Sequence, residues 1–194
     1  MSKSGLYRRR RKTTPALPRS LTRVDLPDTL KTTDGQRFLC IDDGQDDRIL
    51  CFATDLNFRY LQQLTSLYMD GTFYSCPALW DQLYVIHGLI GTKMTQFVFC
   101  VLPNRRRKTY ARLFDRFKVV VQEVTNHPLA PETIQTDFEA AAIRAEEDSS
   151  PNTDIRGCFS HSTQSIWKKV QQLEMVNQYR DNPEVKKDGP VTST

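Results

Sequence analysis

The sequence predicts a mixed α/β domain, in which helices cover a sheet of both antiparallel and parallel strands. Three observations support this fold class. Three short runs of apolar, aromatic and β-branched residues follow one another between residues 64 and 103, and they predict an antiparallel meander. A long segment with apolar residues at helical spacing comes next. Two further short apolar runs then alternate with helical segments, which gives the order β-β-β-α-β-α-β-α.

The size and composition of the chain are those of one folded domain. Its 194 residues are 39% hydrophobic and 26% charged, which is enough to bury a core. No apolar run approaches the ~20 residues that cross a bilayer, and no apolar stretch follows the basic N-terminus as in a secretory signal. We therefore expect an intracellular protein that is not secreted and has no membrane partner. Its five widely spaced cysteines are expected to be reduced thiols.

Basic charge is concentrated in residues 1–27, which contain prolines, show no periodicity and are predicted to form a flexible leader. Eight of the 27 Lys and Arg residues precede Asp25 with no acid among them, which leaves 19 basic against 23 acidic side chains in the rest. The centre of the leader is a basic run composed of Arg8, Arg9, Arg10, Arg11 and Lys12. This run predicts phosphate contacts or a nuclear localisation signal, and the alternative is a solvated, disordered segment.

Residues 28–60 are predicted to form a hairpin and a short helix that precede the core. Apolar runs at residues 37–41 and 48–53 flank an Asp- and Gly-rich turn, which is a hairpin signal. From Asp55 to Leu64, apolar residues recur at helical spacing, and Asp55 is the candidate N-cap.

The core is expected over residues 61–179. Its three meander strands fall in the runs 64–76, 81–91 and 95–103. The segment that follows, up to the His127-Pro128 pair, predicts an amphipathic helix. The apolar face of this helix consists of Tyr110, Leu113, Phe114, Phe117, Val121 and Val124.

Shorter elements complete the predicted core. Residues 131–137 predict a buried strand, and the Ala-rich residues 138–148 predict a helix that begins directly after it. A turn then leads to a strand over residues 153–159 and a final helix over residues 162–179. The last residues, 180–194, are expected to be a polar tail.

Two aspartates stand where this fold would bring them together. Asp70 lies inside the first core strand, and Asp137 closes the fourth, at the carboxyl end where open sheets bind ligands. If these strands are neighbours, the two like charges need a cation, and carboxylate oxygens suit Mg²⁺ or Mn²⁺. Two such ions can activate water for phosphodiester cleavage. The alternatives are that Asp70 belongs to an Asp-Gly turn and that Asp137 N-caps the helix after it.

Five sequence blocks carry a family resemblance. They are, in chain order, MDGTFYSCP, DQLYVIHG, VLPNRRRKTYARLFDRF, PETIQTDFEAAAIRA and IRGCFSHSTQSIWKKVQ. With the gaps between them, they resemble the MULE (Mutator-like element) transposase domain over roughly Leu61 to Tyr179. The segment from Arg37 to Phe52 is similar to the one that often precedes this domain. The resemblance implies a ribonuclease-H-like fold, which agrees with the element order predicted above.

The resemblance also implies a chemistry. Proteins of this kind belong to the DDE transposase superfamily and carry out cut-and-paste transposition by metal-dependent DNA cleavage and strand transfer. Asp70, in DGTF, corresponds to the first catalytic, metal-binding aspartate, and Asp137, in TDFE, corresponds to the second. DNA is then the expected partner, Mg²⁺ or Mn²⁺ in a two-metal arrangement the expected cofactor, and the nucleus the expected location. A homo-oligomer is compatible with this role.

Cys158 and His161 match the Cys-x-x-His signature that this resemblance places after the second aspartate. A Cys-x-x-His pair is only half of a zinc site, because a closed site has four ligands, and the other cysteines show no Cys-x-x-Cys spacing. We therefore do not expect zinc. The favoured interpretation is that Cys158 is a core thiol at a strand end, and that His161 caps the next helix or faces DNA.

The third acid is where the sequence departs from the pattern. Family members supply a glutamate far downstream of the Cys-x-x-His block, whereas this sequence ends about thirty residues beyond it. Glu174 and Glu184 lack the surrounding motif, and Glu139 is expected to point away from Asp137 on its helix. These observations predict a C-terminally truncated core with little or no activity alone. The alternative is a catalytically silent, domesticated DNA-binding or protein-interaction module.

Two further groups of basic residues are candidate DNA contacts. Four of them precede or open the long helix, where the macrodipole disfavours cations. The others follow the Cys-x-x-His block. The two groups are Arg105, Arg106, Arg107 and Lys108, and Lys168 and Lys169. A solvated turn and an ordinary solvated helix face are the respective alternatives.

Overall fold

A seven-stranded mixed sheet organises the residues that the computed structural model describes, which are 18–72, 75–137, 139–157 and Gln171. The strands are β1 Thr32–Thr33, β2 Gln36–Arg37, β3 Leu39–Asp43, β4 Ile49–Phe52, β5 Ser66–Thr72, β6 Gln82–Ile90, β7 Lys93–Leu102, β8 Thr133–Thr136 and β9 Asp154–Gly157. The helices are α1 Asp28–Lys31, α2 Asp55–Gln62, α3 Arg107–Thr125 and α4 Ala140–Ser149, and a 3-10 turn spans Leu21–Arg23. The predicted mixed α/β class is confirmed.

The sheet has the strand order β3-β4-β7-β6-β5-β8-β9, and β1 and β2 form a separate two-stranded ribbon. Strands β5, β6 and β7 are the predicted antiparallel meander, and β8 and β9 add to β5 in parallel. The predicted hairpin is also present as β3 and β4. Its second strand pairs with β7, so the hairpin extends the core sheet. The predicted final helix over residues 162–179 lies outside the described residues, apart from Gln171.

The pairing of β5 with β8 fixes which residues meet at one end of the sheet. The two strands run parallel from the Ser66–Thr133 pair to the Met69–Thr136 pair. The prediction that the first and fourth core strands are neighbours is therefore confirmed. Asp70 and Asp137 each follow the last residue pair by one position.

Helix α3 covers the sheet with the apolar face that the sequence predicts. Tyr110, Leu113, Phe114, Phe117 and Val121 are buried, and Val124 packs against the core while partly exposed. Each large apolar side chain of this kind contributes about 1.5–3 kcal/mol when it leaves water. The helix ends at Asn126, which has a left-handed backbone (φ 60°) just before the predicted His127-Pro128 stop.

Helix α2 packs on α3, and its start differs by one residue from the prediction. The rings of Phe58 and Phe117 lie 5.9 Å apart between the two helices. The N-cap is Thr54, whose hydroxyl oxygen accepts a hydrogen bond from the Asn57 backbone N–H at 3.4 Å. Asp55 occupies the first turn instead. The prediction of Asp55 as N-cap was wrong because the Thr54 hydroxyl is at the right distance for the first free N–H groups.

Residues just before the core also have defined contacts. The Val24 side chain is buried, and Arg48 Nη1 donates to the Val24 carbonyl oxygen at 2.5 Å. The same guanidinium pairs with Asp42 across the β3–β4 hairpin, with Nε 2.6 Å from Oδ1. This end of the predicted leader therefore packs against the hairpin.

Two further features bear on the sequence predictions. The cysteines within the described residues, Cys40, Cys51, Cys76 and Cys100, are free thiols, and Cys158 lies outside them. In the part of the chain that the structure describes, no helix combines the length and the apolar composition that a membrane crossing requires.

A buried carboxyl group lies in the core behind β8. Glu146 of α4 is 1% exposed, and its Oε1 accepts a hydrogen bond from the Tyr84 hydroxyl at 2.9 Å. Burial raises the pKa of Glu146 from 4.5 to about 7, although hydrogen bonds from Tyr84 and Thr136 act in the opposite direction. The nearby charge of Asp137 adds to the increase. The protonated form of Glu146 therefore suits its surroundings better than the carboxylate.

We predict that this group makes the fold less stable as the pH rises. Because the pKa of Glu146 is higher in the folded state, its contribution to the free energy of unfolding is complete below about pH 4.5 and is lost as the pH passes through 7. Glu146→Gln should remove this pH dependence and be more stable than the parent at pH 8, by up to roughly 3 kcal/mol. Urea unfolding at pH 5 and pH 8 measures the difference.

The control for this prediction is Glu147→Gln, because Glu147 is the exposed neighbour on the same helix. That variant should keep most of the parental dependence on pH, because the charge of Glu147 raises the pKa of Glu146 less than burial does. The assignment would be contradicted by a Glu146→Gln protein whose stability changes with pH as the parent's does.

Candidate functional site

Asp70 and Asp137 lie at the carboxyl ends of the neighbouring strands β5 and β8. Asp70 lies in β5 and pairs with Val85 of β6, and Asp137 directly follows β8. Both residues are partly buried, and the Oδ1 atom of each carboxylate is shielded from solvent. The parallel register that ends at Met69 and Thr136 places them side by side. The structure therefore places the backbones of the two aspartates, which the sequence singles out, next to each other.

The glycine next to Asp70 permits a close approach at this edge. A Cβ atom added to Gly71 would lie 1.9 Å from Gln82 Nε2 and 3.5 Å from Asp137 Oδ2. The Gln82 amide and the Asp137 carboxylate therefore both lie over the backbone of the residue after Asp70. A larger residue at this position would displace the Gln82 side chain.

Three polar side chains form a hydrogen-bonded group beside the aspartates, and we call Gln82, Tyr110 and Glu139 the polar triad. Gln82 Nε2 donates to Glu139 Oε2 at 3.2 Å. The Tyr110 hydroxyl lies between two acceptors, Gln82 Oε1 at 2.5 Å and Glu139 Oε2 at 2.8 Å. Gln82 and Tyr110 have no exposed surface, so both ends of the buried amide are satisfied inside the protein.

The electrostatics of the polar triad reflect the nearby aspartate. Burial raises the pKa of Glu139, and hydrogen bonds from Tyr110 and Gln82 lower it. The charge of Asp137 raises this pKa further, and Arg105 lowers it. Burial also raises the pKa of the Tyr110 hydroxyl, with the charge of Glu139 adding to the increase. Negative charge is thus concentrated near the carboxyl end of β8, and this concentration favours the binding of a cation.

Glu139 does not point away from the site as the sequence analysis predicts. Helix α4 begins at Ala140, and Glu139 is its N-cap with an extended backbone (φ −79°, ψ 102°). Asp137 and Glu139 are two residues apart before the helix starts, so helical geometry does not separate their side chains. For the same reason, Asp137 is not the N-cap of this helix, which was the alternative role considered for it.

Gln82 and Tyr110 were not recognised from the sequence as parts of a site. Tyr110 belongs to the apolar face of a helix, and Gln82 begins an apolar strand, so their spacing indicates core packing alone. The sequence does contain a signal in the chemistry of these two side chains, because a buried amide or hydroxyl needs a hydrogen-bond partner. Finding that partner requires the packing of β6 against α3.

The predicted basic cluster Arg105–Lys108 borders the site. Arg105 Nε is 3.1 Å from Asp81 Oδ2, and Arg107 forms an ion pair with Asp148. Arg106 and Lys108 are exposed and form no ion pair within the described residues. Arg105 lowers the pKa of Glu139, so this member of the cluster lies within electrostatic range of the polar triad. These exposed ion pairs add little to stability.

Carboxylates from two residues make up the candidate ligand set in the described part of the chain. No group of three or more His, Cys, Asp or Glu side chains there is arranged to hold a metal ion. Asp70 and Asp137 supply oxygen donors, which fit Mg²⁺ or Mn²⁺ and are a poor match for softer ions. The other predicted positions lie outside the described residues: Arg8, Arg9, Arg10, Arg11, Lys12, Cys158, His161, Lys168, Lys169, Glu174 and Glu184.

Comparison with known proteins assigns the family. The sequence model of one protein family, the MULE transposase domain, matches residues 66–165. This segment begins with β5 and includes both aspartates and the whole polar triad. This match spans more than half of the chain, so the chain belongs to the MULE transposase domain family, and a transposase-family role follows. The predicted family is confirmed. A search of the curated proteins finds no match.

We predict that Gly71 and Gln82 are energetically coupled. Gly71→Ala forces the Gln82 amide out of place, and we expect a loss of about 1–3 kcal/mol in the free energy of unfolding. The Gln82→Ala protein is destabilised by the loss of its hydrogen bonds, but it has room for a Cβ at position 71. The double variant should therefore be more stable than the sum of the two single losses implies.

Urea unfolding of the four proteins in this cycle measures the coupling. A matched control is Gly88→Ala, because its Cβ would meet Leu64 Cδ1 at 2.1 Å and not the Gln82 amide. The cost of Gly88→Ala should simply add to that of Gln82→Ala. Strict additivity of Gly71→Ala and Gln82→Ala would disprove the close approach.

Proposed function

We propose that this chain is part of the catalytic core of a Mutator-like cut-and-paste DNA transposase. The single observation that carries the proposal is the register of β5 and β8, which sets Asp70 beside Asp137 within the segment matched by the family. The proposed core spans residues 61–179. Residues 28–60 precede it as hairpin and helix, and residues 1–27 and 180–194 are the proposed leader and tail.

The strand order supports a ribonuclease-H-like fold for this core. Within the sheet, the order β7-β6-β5-β8-β9 combines an antiparallel meander with two parallel strands added at the β5 side. Helix α3 connects the meander to β8, and α4 connects β8 to β9. This agrees with the sequence-predicted order as far as β9. The β3–β4 hairpin is an addition at the opposite edge.

The proposed roles of Asp70 and Asp137 follow from their chemistry. Their carboxylates would hold Mg²⁺ or Mn²⁺, and the ions would supply Lewis-acid stabilisation of charge on the scissile phosphate. The parallel strands orient both carboxylates from rigid elements, which keeps their arrangement defined before DNA arrives. Partial burial at the sheet edge limits the competing contacts of the carboxylates with water. We propose that zinc has no part in this site.

The proposed partner is DNA, and the proposed location is the nucleus. Arg106 and Lys108 are exposed and belong to the same short segment as Arg105, which is close enough to Glu139 to lower its pKa. We propose that DNA phosphates bind along this segment. Arg8–Lys12, Lys168 and Lys169 are further proposed DNA contacts, and they lie outside the described residues. Such contacts are electrostatic and independent of base sequence.

The second candidate function is a catalytically silent DNA-binding or protein-interaction module with the same fold. The observation that favours it is the absence of a three-acid ligand group among the described residues. Two carboxylates hold a divalent ion less firmly than three, so this candidate predicts weak ion binding and no DNA cleavage. Metal binding is therefore the property that separates the two candidates.

We predict that the protein binds Mn²⁺ through both aspartates. Asp70→Asn and Asp137→Asn should each weaken binding by at least about tenfold, because each removes a charged ligand. Calorimetry with Mn²⁺ measures the affinity. Asp148→Asn is the control, since Asp148 is an exposed residue of α4 that pairs with Arg107, and it should bind as the parent does. A parent protein that binds no Mn²⁺ would favour the silent module.

We also predict that Arg106 and Lys108 contribute to DNA binding. Replacing both with Ala should lower the affinity for duplex DNA and reduce the slope of log affinity against log salt by about 2, roughly one unit for each phosphate contact. Fluorescence anisotropy at several salt concentrations measures the slope. Arg156→Ala on β9 is the control, because Arg156 already pairs with Asp154. An unchanged slope in the double variant would exclude the cluster from the DNA-binding surface.

A further inference from the structure

We propose that the polar triad of Gln82, Tyr110 and Glu139 positions the Asp70 and Asp137 carboxylates so that they can share one divalent ion. This inference rests on the proposed metal-binding function and adds three positioning residues to it. None of the three is offered as a metal ligand. Their task is to connect the two aspartate-bearing segments through hydrogen bonds.

The triad joins three separate elements. Gln82 is the first residue of β6, Tyr110 lies in the first turns of α3, and Glu139 precedes α4. The hydrogen bonds among them, from 2.5 to 3.2 Å, hold the long helix, the meander and the segment after β8 in one arrangement. Hydrogen bonds between buried groups are restrictive because any displacement leaves a polar atom without a partner.

The two ends of the triad reach the two aspartates. At one end, the Gln82 amide lies over the backbone of Gly71, the residue after Asp70. At the other end, Glu139 follows Asp137 by two residues. The ladder between β5 and β8 stops at Met69 and Thr136, so strand pairing alone does not fix the segment after β8. The triad supplies a restraint at the place where the ladder ends.

Such a restraint would be needed for a shared ion, because two carboxylates that approach the same ion repel each other. Two neighbouring carboxylates in partly buried positions separate unless the backbone prevents it, and a wider separation would weaken the shared coordination of an ion. The hydrogen bond partners around metal ligands have this orienting effect in many metal sites. Here the partners act through the backbone of the ligand residues.

The geometry favours positioning over direct ligation for Glu139. Its Oε2 atom is already within hydrogen-bonding distance of Tyr110 and Gln82. In addition, the acids of the described residues include no three-member group that could hold an ion. Glu139 is therefore engaged in the triad, and the ligands that we propose are Asp70 and Asp137.

A second hydroxyl in the same core provides a matched control. Tyr84 is as fully buried as Tyr110, and the two rings lie 5.4 Å apart. Its hydroxyl donates to Glu146 Oε1 and lies 3.4 Å from the Thr136 hydroxyl oxygen, so it takes no part in the hydrogen bonds of the triad. Removing the Tyr84 hydroxyl takes one partner from the buried Glu146. Removing the Tyr110 hydroxyl takes one partner each from Gln82 and the half-buried Glu139, and only this hydroxyl belongs to the triad.

The experiment compares Mn²⁺ affinity with thermal stability in Tyr110→Phe and Tyr84→Phe. Electron paramagnetic resonance of free Mn²⁺ gives the dissociation constant, and circular dichroism gives the melting temperature. Tyr110→Phe should raise the dissociation constant by about tenfold, whereas Tyr84→Phe should lower the melting temperature with a clearly smaller change in the dissociation constant. Unchanged Mn²⁺ affinity in Tyr110→Phe, or an equal loss in Tyr84→Phe, would overturn the proposal.

Two variants of Glu139 separate positioning from ligation. Glu139→Gln keeps an oxygen that can accept from Tyr110, so it should retain more Mn²⁺ affinity than Glu139→Ala, which keeps none. Equal losses in the two would indicate that the charge itself binds the ion, and the positioning role would be wrong. The Asp70→Asn protein tests the underlying function separately: if it binds Mn²⁺ as the parent does, or if the parent does not bind, the metal site itself is refuted and the triad has no ion to position.

Discussion

The parallel pairing of β5 with β8 is the constraint on which the rest of the site depends. Because side chains alternate between the faces of a sheet, a shift of one residue in this register would reverse the faces of the β8 residues relative to those of β5 and would move Asp137 away from Asp70 along the strands. The meander and α3 are needed to bring β8 next to β5, since a parallel strand requires a long crossover connection. The apolar face of α3 holds that crossover against the sheet.

The charge of Asp137, directly after β8, affects the pKa of acidic groups in the elements around it. Asp137 contributes to raising the pKa of Glu139 beside it and of Glu146 in the core behind β8. Each glutamate accepts a hydrogen bond from the hydroxyl of a buried tyrosine. Tyr110 donates to Glu139, and Tyr84 donates to Glu146. A domain that keeps this many acids near one point has a lower folding stability than its apolar core alone would give. Carboxyl groups whose pKa is raised in this way are common at functional sites.

Most of the fold could be predicted from the sequence, because local patterns determine it. The strands of the meander and the buried face of α3 follow from runs and periods within single segments. The adjacency of β5 and β8 could also be predicted, since it follows from the order of the elements. The predictions that failed concern the residues at which helices begin. Thr54 replaces Asp55 as a helix cap, and α4 starts three residues after Asp137, because the backbone path decides where a helix begins.

The sequence by itself determined the family, the sheet and the two aspartates, since each depends on residues close together in the chain or on matching motifs. Only the tertiary structure decided the surroundings of those aspartates. Gln82, Tyr110 and Glu139 come from segments as many as 57 residues apart, and their hydrogen bonds exist only after β6, α3 and the end of β8 have packed together. A polar residue in an apolar pattern indicates that a partner is needed, but the partner's identity depends on three-dimensional contacts that no local period encodes.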